Sequence, residues 1–328
     1  CRKPLIQTPD GKSTKSDQNG AGNHAISDCH TRRSWADPFS QRKGRASFLN
    51  LHSGESMSFF EIGPHDSIYY EYEPPSGNQA LTFVFINAIT GDTGMWQAEI
   101  GPALRETGYG TLAFNFRGQA KSSASEGLAF DEALITGDLI RLLQHLNPPN
   151  PVLVGLSIGG LYGSRAYLGG IPAAGLVLVN TLRKIGPRIS WMNDTTVRVM
   201  EVGGPALMRD IISPLIFGPP WLEKNRENFL KQDTVYEPMD KNSGIYNLLS
   251  HMGQADWNLP YEKLDCPVLV VTGPHDRIFY DKEVIEELSA RIPKVQKVEI
   301  PDAAHMLPAE CGPEFSDVLL DFAKSLKP

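Results

Sequence analysis

Six short runs of nearly unbroken apolar residues, at 81–87, 111–116, 151–156, 175–180, 267–273 and 295–300, limit what this chain can fold into more than any other feature. Each is too short for a buried helix. Apolar side chains at successive positions suit a strand covered on both faces, the environment of a parallel sheet flanked by helices. The segments between the runs read as helices. In 131–146, Ile135, Leu139, Leu142, Leu143 and Leu146 fall on one stripe, and Pro148-Pro149 ends it. The segment 313–326 repeats the pattern. Two further β-rich runs, 58–62 and 67–72, read as an opening hairpin. This order predicts an α/β fold with a doubly wound, mostly parallel sheet, whose ligand site lies beyond the carboxyl ends of the strands.

One connection breaks the rhythm. Some 85 residues separate Asn180 from Pro267, where connections in α/β units usually take about two to six. This insertion is rich in Pro, Met and Trp, with helical patterns near 195–202, 206–212 and 220–231. It predicts an inserted helical cap over the active edge of the sheet. The expected organisation is an α/β core at 57–180 and 264–328, with a cap at 181–263.

Residues 1–56 differ in kind. They lack sustained apolar periodicity and hold nine Lys/Arg against five Asp/Glu, whereas the remainder holds 22 against 33. Such a segment buries too little surface to order itself, and is expected to be a disordered upstream extension, with the functional chain starting at Met57. The alternative is a targeting peptide built on Arg32, Arg33, Arg42 and Arg45, against which Asp10, Asp17, Asp28 and Asp37 count. The acidic body gives no support to nucleic-acid or anionic-membrane partners. Apolar runs well short of the ~20 residues of a membrane span point to a soluble chain. The four cysteines, Cys1, Cys29, Cys266 and Cys311, have neither metal-ligand spacing nor disulfide density. Cys266 and Cys311 read as reduced thiols, and the expected location is cytoplasmic.

The chemistry starts at Pro151–Gly160. A strand-like run feeds Gly155-Leu-Ser157-Ile-Gly159 and then helix-forming sequence. A sharp strand-to-helix turn strains its central residue and leaves room for only small side chains two positions to either side, so Ser157 is placed as a nucleophile. A serine nucleophile needs a base and an acid to orient that base. Asp276 follows the run 267–273 and His305 follows 295–300, which puts both on the same sheet edge as Ser157. The plainer alternatives are a turn serine, a helix-capping aspartate and a loop histidine. Asp281 is the better cap for a helix at 281–292, and His275 reads as a loop residue.

Residues 57–328 resemble the α/β-hydrolase fold superfamily in its capped, serine-dependent form. The resemblance is carried by the elbow at Ser157 and by Trp96 after the oxyanion loop. Asn115-Phe-Arg-Gly-Gln-Ala-Lys-Ser122, Cys266-Pro-Val-Leu-Val-Val-Thr-Gly273 and Ala304-His-Met-Leu-Pro-Ala-Glu310 add to it. The chain order Ser, Asp, His also matches. The chain departs from the family at Asn87-Ala88-Ile89-Thr90-Gly91-Asp92, where His-Gly is usual. Backbone N–H groups make an oxyanion hole, so Ile89 and Ile158 are the expected donors, with Asn87 anchoring the loop in place of the histidine.

The resemblance implies cofactor-independent hydrolysis of carboxylic esters of small to medium acyl substrates through an acyl-enzyme. The catalytic set is Ser157, Asp276 and His305, and Trp96, Trp191 and His251 are expected at the substrate pocket. Competing readings are lactone or carbon–carbon bond hydrolysis, acyl transfer, suggested by a similar loop in homoserine O-acetyltransferases, and a non-enzymatic ligand-binding relative. Serine at the elbow, where an aspartate would be needed, disfavours haloalkane dehalogenase or epoxide hydrolase chemistry. Neither metal nor cofactor is expected, and the sequence leaves the oligomeric state open.

Overall fold

A computed structural model describes residues 58–326 and the short stretch Leu5–Gln7. The strands in chain order are β1 (Leu5–Gln7), β2 (Ser58–Gly63), β3 (Asp66–Glu73), β4 (Thr82–Ile86), β5 (Gly110–Phe114), β6 (Pro151–Leu156), β7 (Gly175–Val179), β8 (Val268–Thr272) and β9 (Val295–Glu299). They form one sheet in the order β1-β9-β8-β7-β6-β4-β5-β3-β2. From β5 through β4, β6, β7 and β8 to β9 every pairing is parallel, and β2, β3 and β1 are antiparallel at the edges. β1 extends the sheet beyond β9, with Ile6 opposite Val298. The expectation for the rest of 1–56 lies outside the described residues.

The apolar runs form strands because both sheet faces are covered. Along β4, Phe83 and Phe85 point into one core cluster, and Val84 and Ile86 into the other. Helices α1 (Thr93–Gln97) and α2 (Ile100–Glu106) lie on the first side together with α10 (Gly312–Ser325). On the second lie α3 (Glu132–Leu146), α4 (Ile158–Leu168) and α8 (Lys282–Ser289). The α3 stripe buries Ile135, Leu139, Leu142 and Leu143, and left-handed Asn147 closes the helix just before the two prolines. A short α9 (Leu307–Glu310) precedes α10.

Chain order reverses around β4, whose neighbours are β5 on one side and β6 on the other. The crevice beyond the carboxyl ends at such a reversal is where ligands bind in open α/β sheets. Three loops meet near it. Arg117 steadies the loop after β5: it is buried, paired with Asp138 at 2.6 Å and with Asp66 at 3.0 Å. The Asp66 carboxyl, bonded by the Ser125 hydroxyl and amide and by Arg117, is held at about 2.

Between β7 and β8 lie α5 (Pro187–Ile216), α6 (Pro219–Asn225) and α7 (Gly244–Met252). The sequence patterns at 195–202 and 206–212 are two halves of α5, separated by a kink. Gly204 at φ +61° breaks the helix before Pro205, and a Cβ there would lie 2.2 Å from the Glu237 carbonyl oxygen. The 220–231 pattern ends earlier, at Asn225, and α7 carried no sequence expectation. No helix among the described residues is long and apolar enough to cross a membrane.

Candidate active site

Ser157 sits between β6 and α4 with φ +57° and ψ −119°, a conformation that non-glycine residues rarely hold. Its surroundings impose it. The Ser157 amide donates to Val179 O at 2.8 Å, which ties the turn to β7. A Cβ on Gly155 would lie 2.3 Å from Gly160 N, and one on Gly159 would lie 2.3 Å from Ile86 O, so backbone fills the space beside both glycines.

The Asp276 carboxylate is buried at the end of β8. Its Oδ1 accepts from the Ile278 and Phe279 amides at 2.9 Å, and its Oδ2 accepts from His305 Nδ1 at 2.7 Å. Burial alone would raise this carboxyl, but His305 and the two amides outweigh it and hold the group below its ordinary value. The contact assigns the tautomer: Nδ1 carries the proton, leaving Nε2 as the free basic nitrogen. Asp281, five residues beyond Asp276, caps α8 by accepting from Val284 N. The His305 backbone is fixed from two directions. Its amide donates to Ile216 O, and its carbonyl accepts from Asn180 Nδ2 at 3.0 Å. Asn180 also bonds Ala304 O and Gly273 N, so one buried amide joins the ends of β7 and β8 to the histidine loop.

The loop after β4 is held by side chains. Asn87 is wholly buried; its Nδ2 donates to Phe114 O and Gln119 Oε1 at 2.9 Å, and its Oδ1 accepts from Trp96 Nε1 at 2.7 Å. Gln119 Nε2 in turn donates to Ala88 O and Ile89 O. The Ile89 and Ile158 amides donate no hydrogen bond within the described residues.

Ser157, His305, Ala88, Ile89 and Ile158 line one cavity of about 100 Å³, whose opposite wall comes from α5 and α7, including Ile189, Met192, Met208, Ile212 and Leu249. A family model for the alpha/beta hydrolase fold matches residues 82–310. The chain belongs to the α/β-hydrolase fold family. Among its relatives, 3-oxoadipate enol-lactonase 1 of Acinetobacter baylyi is 24% identical over 254 residues, 76% of this chain and 90% of the relative. An alpha/beta hydrolase enzyme from a Medee basin deep-sea metagenome library superposes with TM-score 0.70 at 20% identity, covering 83% of this chain and 98% of the other. A thermophilic esterase of Thermogutta terrifontis gives 0.65 at 22% identity, with 83% and 98% covered. At these identities the solved structures establish the fold alone.

Within this α/β-hydrolase framework three pocket expectations are corrected. Trp96 is wholly buried beneath the loop, stacked on Phe85 at 4.8 Å and bonded to Asn87, because its indole N–H finds its acceptor there. Trp191 is 75% exposed, since its face of α5 turns from the cavity. His251 binds Asn247 O and lines a separate surface groove with Asp131 and Glu132. The cavity takes Trp257, Phe279 and Arg183 instead. Arg183 carried no sequence expectation, because Arg183-Lys184 reads as an ordinary charged pair after a strand. Lys184 is indeed on the surface, paired with Glu287, but Arg183 is 4% exposed and its Nη2 donates to Ser157 Oγ at 3.0 Å. No hydrogen bond joins Ser157 Oγ to the His305 ring; the serine oxygen is an acceptor from Arg183 and keeps its own proton to donate.

Proposed function

We propose that this chain is a serine hydrolase that cleaves carboxylic esters, lactones included, through an acyl-enzyme. The carrying observation is the buried Asp276–His305 pair facing the same cavity as a serine held at φ +57° on the elbow. In this reading the substrate brings Ser157 O–H onto His305 Nε2. His305 takes the proton as Oγ attacks the acyl carbon, then returns it to the leaving oxygen; water repeats the sequence to release the acid. Asp276 holds the ring and stabilises its charged form. The oxyanion sits between the Ile89 and Ile158 amides, both free to donate, the second at the N-terminus of α4.

Residues 181–263 act as the cap in this proposal. Their side chains close the cavity with mostly apolar surface, which favours a small acyl group and excludes water during attack. Lactones fall within the same chemistry, being cyclic esters, and the A. baylyi relative is named as an enol-lactonase over 90% of its length. The test is hydrolysis of p-nitrophenyl butanoate by the purified chain. Ser157→Ala and His305→Ala should each lower kcat by at least ~1,000-fold with the fold intact by circular dichroism. An unchanged rate in Ser157→Ala would remove the proposal.

A further inference from the structure

Arg183 is the one charged side chain in the cavity wall whose role the hydrolytic mechanism does not use. A guanidinium has five N–H donors. Three are spent: Nε on Thr181 O at 3.2 Å, and Nη2 on Asn180 O at 2.6 Å and Ser157 Oγ at 3.0 Å. Nη1 donates to no protein group among the described residues, and the residue lines the cavity. The group is fixed rather than mobile. Its central carbon lies 4.3 Å from the Trp257 ring centre and 4.1 Å from that of Phe279, and backbone carbonyls hold it on the inner side.

Its charge lacks a partner in contact. Among the described residues no carboxylate bonds it; the largest opposing charge acting on it is Asp276, whose oxygens are already committed to His305 and two amides. Burial draws the guanidinium down to about 10, so it remains charged at neutral pH. Entry of a neutral apolar substrate would strip water from this cation without replacing it, which is costly; entry of an anion would pair it.

We propose that Arg183 is the anion-recognition residue of this pocket, and that the substrate carries a carboxylate close to its scissile carbonyl. The spacing follows from Ser157. The attacked carbon must come within ~3–3.5 Å of Oγ, and Arg183 Nη2 is 3.0 Å from the same atom. A carboxylate oxygen sits ~2.8 Å from the nitrogen it accepts from. An acid group two or three carbons along the acyl chain reaches from the attacked carbon to the guanidinium, where the two Nη1 N–H groups, unspent among the described residues, are the donors it accepts from. The substrate class is therefore a short half-ester of a dicarboxylic acid, or a lactone bearing an acid arm. This rests on the serine-hydrolase reading.

The test compares kcat/KM for monophenyl succinate and phenyl pentanoate, which share a leaving group and differ in the charge at the end of the acyl chain. The wild-type chain should prefer the succinate by at least ~10-fold, and Arg183→Met should erase that ratio, with Arg183→Lys falling between. A second arm needs no variant, in case Arg183→Met fails to fold. Succinate, but not succinamide, should competitively inhibit phenyl pentanoate hydrolysis by the wild type and protect it from thermal unfolding. A wild-type ratio near one, or succinate no better than succinamide, overturns the assignment. Failure of the serine mechanism is seen separately, as Ser157→Ala retaining both hydrolytic rates while succinate still raises the melting temperature.

Discussion

Replacing Asn87 by Ala tests how the divergent loop after β4 is built. The side chain is wholly buried and is the acceptor for Trp96 Nε1–H, itself wholly buried, and a donor to Phe114 O and Gln119 Oε1. Gln119 Oε1 keeps the Phe116 amide, but the indole N–H loses its acceptor and Phe114 O a donor. At ~1–3 kcal/mol for each of the two buried groups that lose a partner, the expected loss is roughly 2–6 kcal/mol, a large share of the ~5–15 kcal/mol a domain holds. Guanidinium unfolding followed by tryptophan fluorescence should show that loss with an unchanged m-value. The same change frees Gln119 from one partner and so loosens its hold on Ala88 O and Ile89 O. Because one misplaced oxyanion donor costs ~100-fold or more, kcat on p-nitrophenyl butanoate should fall at least tenfold. A variant within 1 kcal/mol of wild type and within twofold in kcat, on the scale of measured hydrogen-bond losses, would refute the anchoring role.

Three further outcomes are expected. Arg117→Leu removes the cation shared by Asp138 and Asp66, leaving Asp138 with Arg141 and Asp66 with Ser125, and should destabilise by about 3 kcal/mol in the same unfolding assay, the lower end for a broken buried pair; a loss below ~1 kcal/mol would show the cluster to be dispensable. Gly159→Ala and Gly137→Ala should act in opposite directions: the first drives a Cβ against Ile86 O and should abolish activity, while the second has open space within α3 and should stabilise by ~0.5–1 kcal/mol. Finally, burial pushes the Glu310 carboxyl up to about 8, although the Gly218 and Ala304 amides pull it back toward the charged form. The folded chain keeps a proton there that the unfolded chain releases near 4.5, so this contribution is full below 4.5 and is lost as pH rises toward 8. Melting temperature across that range should therefore slope downward, at up to ~1.4 kcal/mol per pH unit from this group, and Glu310→Gln should flatten the slope; an equal slope in both would contradict it.

The parallel strands were legible because burial on both faces leaves an unbroken apolar run, and observed bounds differ from the sequence ranges by no more than two residues at either end. Ser157, Asp276 and His305 were legible for a related reason: each follows such a strand, and the sheet aligns their ends. The pocket wall was not. Trp96 and Trp191 lie in helical sequence whose facing depends on packing, and one is sealed beneath the loop while the other is exposed. Arg183 and Asn180 act through hydrogen bonds between segments more than 20 residues apart in sequence, and local pattern carries no trace of such pairings. Pro214 lies inside α5 without breaking it, so a proline alone did not mark a boundary there; the break came at Gly204, before Pro205.

The central claim is that Ser157 becomes acylated, and the most direct measurement is peptide mass spectrometry after reaction with a fluorophosphonate. A phosphonyl adduct is expected on the peptide containing Ser157, absent from Ser157→Ala and from unfolded chain. An unlabelled native protein, or an adduct on any other residue, would contradict it.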